Sequence, residues 1–408
     1  MIAAAGLYAA AASASSSSSG SAPRAHAAYA QQCSDPFPAT RDPANPLMLP
    51  TAPGANPLQG AHFFVDGPRH GSAAGAIAEL MGRDPHQYSD SYSWLRLREG
   101  LTRGAAARKL RRHGGIARKV ALLEKIADQP ESQRISSYSE GGGPGAIFGQ
   151  TQKIFCHNKT ADRGSIPVFT TYFLHASLGG CGTPAEVQAA GPDFRRRVDE
   201  TAQATGNRPA VFLLEVDAIG SSQCFRREGS LGLWEADLRY EVARISSLPH
   251  TVVYLEAGYS DGNSPRYTAR VLNASGVRHI RGFYTNDTHS NWTIDEIRWG
   301  MKVSRMTRGA HFIVNTATNG RGPLRPHNRV RNGNEVLCNP PGRGIGPLPT
   351  TTTGFAKVDA FLWTGPPGNS SGHCNGGTAA GTFWTKRALG LAARSQAKLG
   401  PGYPRNPY

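Results

Sequence analysis

A chain of 408 residues is long enough for one large domain with a full core, or for two ordinary ones. Hydrophobic residues make up 39%, which fits a globular protein, while 48 glycines and 29 prolines without a repeating period demand many turns and exclude a collagen-like fibre. The formal net charge of +16 draws polyanions of any kind to the surface, and no stretch approaches the apolar length that a transmembrane helix needs, so none is expected.

Residues 1–55 mix Ala, Ser, Pro and Asn without helical or strand period. A weakly apolar start (Ile2 to Ala12) and small residues at Ala25 to Ala28 read as the remnant of a secretory leader followed by a linker, although a basic n-region is not seen. Residues 56–408 then read as one domain. Within it, Arg103 to Lys119 carries seven Lys and Arg residues and no acid. Two readings stand: a polyanion-docking helix, or a solvated helix face. The second is preferred, because no aromatic residues interleave the basic ones as a nucleic-acid platform requires.

Short apolar runs alternate with helical stretches from there on. The runs are His62–Asp66, Pro167–Leu174, Ala210–Asp217, Thr251–Glu256, Gly282–Asn286, Phe312–Asn315 and Val358–Trp363. Most are apolar on both alternations, as strands buried on both faces of a parallel sheet are. Between two of them, Leu238, Val242 and Ile245 recur at helical spacing before Pro249. The alternation predicts an α/β fold, a distorted parallel β/α barrel of about seven strands with TIM-like architecture. Such a barrel builds its active site at the C-terminal ends of the strands. Five runs end at, or just before, Asp66, Asp217, Glu256, Asn286 and Asn315, a ring that suits a polar, sugar-like ligand. Each of these residues taken alone is equally a helix cap. Because residues i and i+2 share a strand face, Glu215 and Asp217 should both point inward. A buried Glu must be satisfied, so Glu215 is read as a structural hydrogen-bonding residue, and Asp359 likewise. Tyr172 and His175 near the second run either line the pocket or belong to core or loop.

Six cysteines (Cys33, Cys156, Cys181, Cys224, Cys338, Cys374) are scattered, with no C-x-x-C pair. That argues against a zinc ribbon or a thioredoxin motif and for an oxidising compartment. No metal site and no cofactor are expected.

Several segments are similar to glycoside hydrolase family 6, the cellulase family. Leu213–Gly220 resembles its LEPDAL stretch, Tyr254–Tyr259 its YLDAGH, Cys338–Gly344 its CNPPGRG and Phe361–Gly372 its FLWVKRPGESDG. Ile126–Pro130 and Thr318–Pro323 add smaller matches, all in family order. The resemblance implies a secreted, inverting glycosidase acting on a β-glucan or related polysaccharide, with Asp217 as general acid. It also implies disulfides Cys181–Cys224 and Cys338–Cys374, each of which would clamp an active-site loop for roughly 3–4 kcal/mol. Cys33 and Cys156 remain, free to pair with each other.

The chain departs from the family where partner groups should stand. The RDC triplet, whose Asp keeps a proton available on the acid by like charge, is Gly179-Gly180-Cys181 here. The Asp of ESDG, the family's proposed base, is Ser371, and the sugar-binding Lys and Glu of that loop are Gly365 and Asn369. The Asp of YLDAGH becomes Glu256, kept as a supporting carboxylate, and its His becomes Tyr259. Of the stacking tryptophans, one position is Ile135 and another Leu337, while Trp292 and Trp363 remain as sugar platforms or core. Tyr172, Tyr259, Asn286, Trp292, Leu337 and Asn369 are therefore the expected substrate-binding set. Three functions stay open: a divergent hydrolase, a glycan or wall-polymer binder without hydrolysis, and a barrel whose motifs are only structural. A polysaccharide or oligosaccharide is the expected partner of a monomeric chain, with neither nucleic acid nor membrane insertion.

Overall fold

The computed structural model describes residues 54–65, 71–81, 115–136, 143–161, 164–178, 180–325 and 336–403. The leader and linker, Asp66, Cys33 and most of the basic run lie outside these residues. Where that run continues into the described part, Arg118 and Lys119 sit on the exposed side of a helix whose Val120, Leu123 and Ile126 are buried.

Seven strands form one sheet in sequential order, every neighbouring pair parallel: β1 (Gln133–Ser136), β2 (Val168–Tyr172), β3 (Ala210–Leu214), β4 (Thr251–Glu256), β5 (Gly282–Thr285), β6 (His311–Asn315) and β7 (Val358–Leu362). Six of the expected runs are β2 to β7. The seventh is a correction. The described part of that run, residues 62–65, contributes an isolated bridge, Phe63 to Ile166, and the remaining strand is Gln-Arg-Ile-Ser at 133–136. This edge strand has one partner and an exposed Arg134, so its sequence carries no apolar run.

The sheet is a half-barrel, because β1 and β7 do not pair as strands. Their seam is closed by a few bonds instead. Ser132 donates its N–H to the Trp363 carbonyl at 2.9 Å, and the hydroxyls of Ser132 and Thr170 both reach the Thr364 carbonyl.

Alternation along the strands divides the core into two layers. Val168, Val211, Leu213, Tyr254, Tyr284, Ile313, Ala360 and Leu362 fill the inside of the half-barrel, joined by Leu58 and Phe63 from the chain before β1. The other faces, with Phe169, Phe212, Leu214, Leu255, Phe283, Phe312 and Phe361, pack under the crossover helices. The crossover helices are α3 (Ala146–Ala161), α4 (Leu174–Leu178), α5 (Pro184–Thr205), α6 (Ser222–Arg227), α7 (Leu231–Ser246), α8 (Pro265–Ala274) and α9 (Thr293–Met306), while α1 (Ala73–Leu80) and α2 (Gly115–Ala127) before β1 and α10 (Thr385–Ala393) after β7 form a separate apolar cluster with Trp363. The expected periodicity appears in α7, where Leu238, Val242 and Ile245 are buried. Helix α5 starts on a capping box, Thr183 and Glu186 bonding each other's backbone N–H. No described helix is long and apolar enough to cross a membrane.

A buried ionic cluster ties the strands at their N-terminal ends. Asp359 of β7 accepts the Tyr254 hydroxyl at 2.7 Å and two nitrogens of Arg281 at 2.7 and 2.9 Å, and sits 2.9 Å from His311 Nδ1. Four strands or their approaches meet there, so the Asp359 carboxylate is paired, as a buried charge must be.

Candidate active site

Strand β3 is completely buried and stops at Leu214. The next residues leave the extended region, Glu215 at φ 47° and Asp217 at φ 62°. Left-handed backbone at two residues with side chains is costly by about 1–3 kcal/mol each, so the surroundings must hold it. Two buried carboxyls do so. Glu215 accepts the N–H groups of Phe173 at 2.6 Å and Leu174 at 3.0 Å, the start of α4. Glu256, at the end of β4, accepts the N–H groups of Ile219 at 2.7 Å and Gly220 at 3.1 Å, and also that of Gly258. The turn carrying Asp217 is thus pinned on both sides. Gly258 (φ +86°) lets it close, since a Cβ there would stand 3.1 Å from the Gly220 Cα.

Burial pushes the Glu215 carboxyl up to about 7, against the pull of the backbone N–H groups it accepts. Glu256 is raised too, by burial first and then by the like charge of Asp217. The period-two argument placed Glu215 and Asp217 on one inward strand face. The strand ends before both, so the turn sets their directions: Glu215 toward α4, Asp217 toward the open end.

There a cleft of about 1020 Å³ runs over the C-terminal strand ends. Asp217 lines it, half-buried, and its Oδ1 accepts the Thr288 hydroxyl at 2.8 Å. Of the expected binding residues, Tyr172, Tyr259, Leu337 and Asn369 also line it, as does His175. The Tyr259 ring stacks on His289 with centroids 3.3 Å apart, and His289 is oriented by Asp261 at 2.8 Å from Nδ1. Burial depresses the His175 imidazole, opposed by the charge of Asp217.

Three expected residues are not among those lining the cleft. Glu256 is fully buried, and both of its oxygens are taken by backbone N–H groups. Asn286 is buried in a left-handed turn, where its amide bonds the Asn291 and Asn315 carbonyls at 3.2 and 3.0 Å. The Trp292 indole lies on Gly322, a contact so close that no Cβ would fit, and packs against the outer core layer. Each is held by contacts inside the protein: the first two bond loops beside the cleft, and the third packs between α9 and the loop after β6.

The residue that the sequence argument passed over is Asp287. It lines the cleft, two positions beyond β5, and its Oδ1 accepts the Thr364 hydroxyl. Its Oδ2 is fully buried with no hydrogen-bond partner, although the residue as a whole is half-buried. Burial raises this carboxyl to about 6; Arg134 and Thr364 oppose the shift, and the charge of Asp217 adds to it. Within Asn-Asp-Thr-His, an Asp reads as a turn residue, and nothing local marks it otherwise. Ser371 lines the same cleft where the resemblance expects a carboxylate. The two expected disulfides are present, Cys181–Cys224 and Cys338–Cys374, with Cα–Cα distances of 5.6 and 5.9 Å. Cys338 itself borders the cleft.

Comparison with known proteins places this geometry. A profile of glycosyl hydrolases family 6 matches residues 105–395. Endoglucanase A of Cellulomonas fimi is 29% identical over 277 residues, covering 68% of this chain and 57% of the relative. The chain thus spans little more than half of that protein. Endoglucanase 1 of Streptomyces sp. (strain KSM-9) is 30% identical over 283 residues, covering 68% of this chain and 73% of the relative. Among solved structures, the endoglucanase Cel6 from Mycobacterium tuberculosis superimposes with a TM-score of 0.63 at 29% identity, covering 83% of this chain and 99% of that one. That structure holds methyl-cellobiosyl-4-deoxy-4-thio-β-D-cellobioside. The half-barrel, its cleft and these matches together make the chain a member of glycosyl hydrolase family 6.

Proposed function

We propose that this protein hydrolyses O-glycosidic bonds of a β-glucan or a related polysaccharide, by inversion, with Asp217 as the general acid. The observation that carries this reading is the placement of Asp217. A strained turn, clamped by Glu215 and Glu256, aims one carboxyl into an open cleft at the strand ends. Strain held so firmly is a mark of a working site. Asp217 would protonate the leaving oxygen. Asp287, the other carboxyl among the described residues lining the cleft, would activate the attacking water in place of the carboxylates replaced at Gly180 and Ser371. Glu256 acts as a positioning group, and Tyr172 and Tyr259 offer ring faces to sugar.

The relatives are named endoglucanases, and one solved neighbour holds a cello-oligosaccharide analogue, which supports a β-1,4-linked substrate. The disulfides fit an exported protein, with residues 1–55 as leader and linker ahead of the catalytic unit. A second reading, glycan binding without cleavage, draws on Ser371, a hydroxyl on the cleft wall where the family carries its base.

Reducing-end release from β-1,4-, β-1,3- and mixed-linkage glucans separates the two. Hydrolysis of at least one of them is expected, falling by about 10³-fold or more in Asp217→Asn, in line with loss of an essential acid. Binding by the wild type, unaltered in Asp217→Asn and without any cleavage, would establish the second reading and end the first.

A further inference from the structure

The cationic side chains of the cleft wall are not explained by a neutral glucan. Arg387, in the first turn of α10, borders the cleft, and its Nε is fully buried with no hydrogen-bond partner. No carboxylate is paired with it among the described residues. Burial, joined by the like charge of the nearby Arg394, brings the guanidinium down to about 10. Its position in the helix is also unfavourable. A cation in the first turn opposes the helix dipole, and α10 has no acid in that turn and no side-chain cap. Burial, a like charge and the dipole all act against Arg387, and nothing described in the protein offsets them.

Two further cations face the same space. Arg134 of β1 borders the cleft beside Tyr172, its guanidinium 5.9 Å from the ring centroid, and Lys153 of α3 projects from another side. Neither makes an ion pair or hydrogen bond among the described residues. Among the described residues, three Lys and Arg side chains therefore line the cleft against two carboxyls, Asp217 and Asp287, and both of those accept hydroxyl bonds from threonines. His289, which also lines it, is already matched with Asp261.

We propose that the cleft is built for an acidic glycan, with Arg387 and Arg134 receiving carboxylates carried on the sugar rings and Lys153 adding an outer charge. A guanidinium presents a planar fork that a carboxylate fits with two parallel bonds. The inference rests on the reading of the cleft as a glycan site and specifies which glycan. A nucleic acid is the other polyanion such side chains could hold; the reading of the cleft as a glycan site disfavours it, and the DNA probe below tests it.

The test is calorimetric titration of the full oxidised chain with three probes: a hexasaccharide of β-1,4-linked glucuronic acid, cellohexaose and a single-stranded DNA oligonucleotide. At low salt the uronate should bind roughly tenfold or more tighter than cellohexaose, the worth of a charge-assisted bond, and the ratio should shrink as salt is raised. Arg387→Gln with an unchanged thermal midpoint should remove most of that ratio, and Arg387→Lys should restore part of it. If cellohexaose binds as well as the uronate, the acidic-glycan inference fails while the glycan cleft stands. If Arg387→Gln folds normally and keeps the full ratio, the assigned site is wrong. DNA bound as tightly as the uronate would mean unspecific charge attraction and would overturn the proposal. If neither hexasaccharide binds, the glycan reading itself falls and takes the inference with it.

Discussion

Asp287 shows how a single residue can be invisible in sequence and prominent in space. Its neighbours Asn286, Thr288 and His289 make the segment look like an ordinary polar turn, yet the turn lays Asp287 beside the wall that holds Asp217. A folded carboxyl raised to about 6 keeps its proton between about pH 4 and 6, where the unfolded chain has released it. Stability therefore falls as pH rises through that window, and the loss persists above it. Asp287→Asn should raise stability at pH 7 by about 1–2 kcal/mol and leave it nearly unchanged at pH 4, as read from urea midpoints at the two pH values. If water activation is also its task, the same variant should lose turnover with little change in KM. Asp217 was legible because its motif and its strand-end position agree. Glu256 was legible as a carboxylate but not in direction, because its direction depends on the N–H groups of Ile219 and Gly220, which arrive from another strand's loop.

At the scale of the element, apolar runs foretell strands that have a neighbour on each side. β2 to β6 have two partners and β7 lies over packed helices, and all six were readable. The edge strand β1 is half polar and was not. The apolar His62–Asp66 segment misled for the complementary reason: Phe63 serves as a plug for the half-barrel interior and not as a rung of the ladder. Loops obey other constraints. Asn339, in a left-handed turn, donates to the Gly372 carbonyl at 2.7 Å and accepts the Ser371 N–H at 2.8 Å, so the loop after β6 and the loop after β7 are knit together around Cys338–Cys374. The bridge closes a separation of 36 residues, for which loop entropy gives roughly 4 kcal/mol. Cys338→Ser with Cys374→Ser should lower unfolding free energy by about 2–4 kcal/mol, measured against guanidinium at fixed pH. Turnover below the melting transition should fall less than binding of long oligosaccharides, since the knitted loops form one cleft wall.

A buried ionic cluster and the carboxyls of the cleft lie at opposite ends of the same strands. The Asp359 cluster holds β4 to β7 together at their N-terminal ends, while Asp217 and Asp287 sit beyond the C-terminal ends. Arg281→Met would leave the Asp359 charge short of its main partner, and about 3 kcal/mol of stability should be lost. Adding Asp359→Leu should return most of it, and specific activity measured well below the midpoint should stay near wild type in both. Retained low stability in the double variant would show that Arg281 acts through packing and not through charge.

The seam between β1 and β7 has a further consequence. Among the described residues, a handful of bonds around Ser132, Thr170 and Thr364 hold the two free edges, yet the cleft is floored by both, with Arg134 on one rim and Gly365 and Asn369 on the other. A polymer lying across that floor would act as the missing rung of an unfinished cylinder, and amide exchange at Ser132 should slow in proportion to how well the cleft is filled.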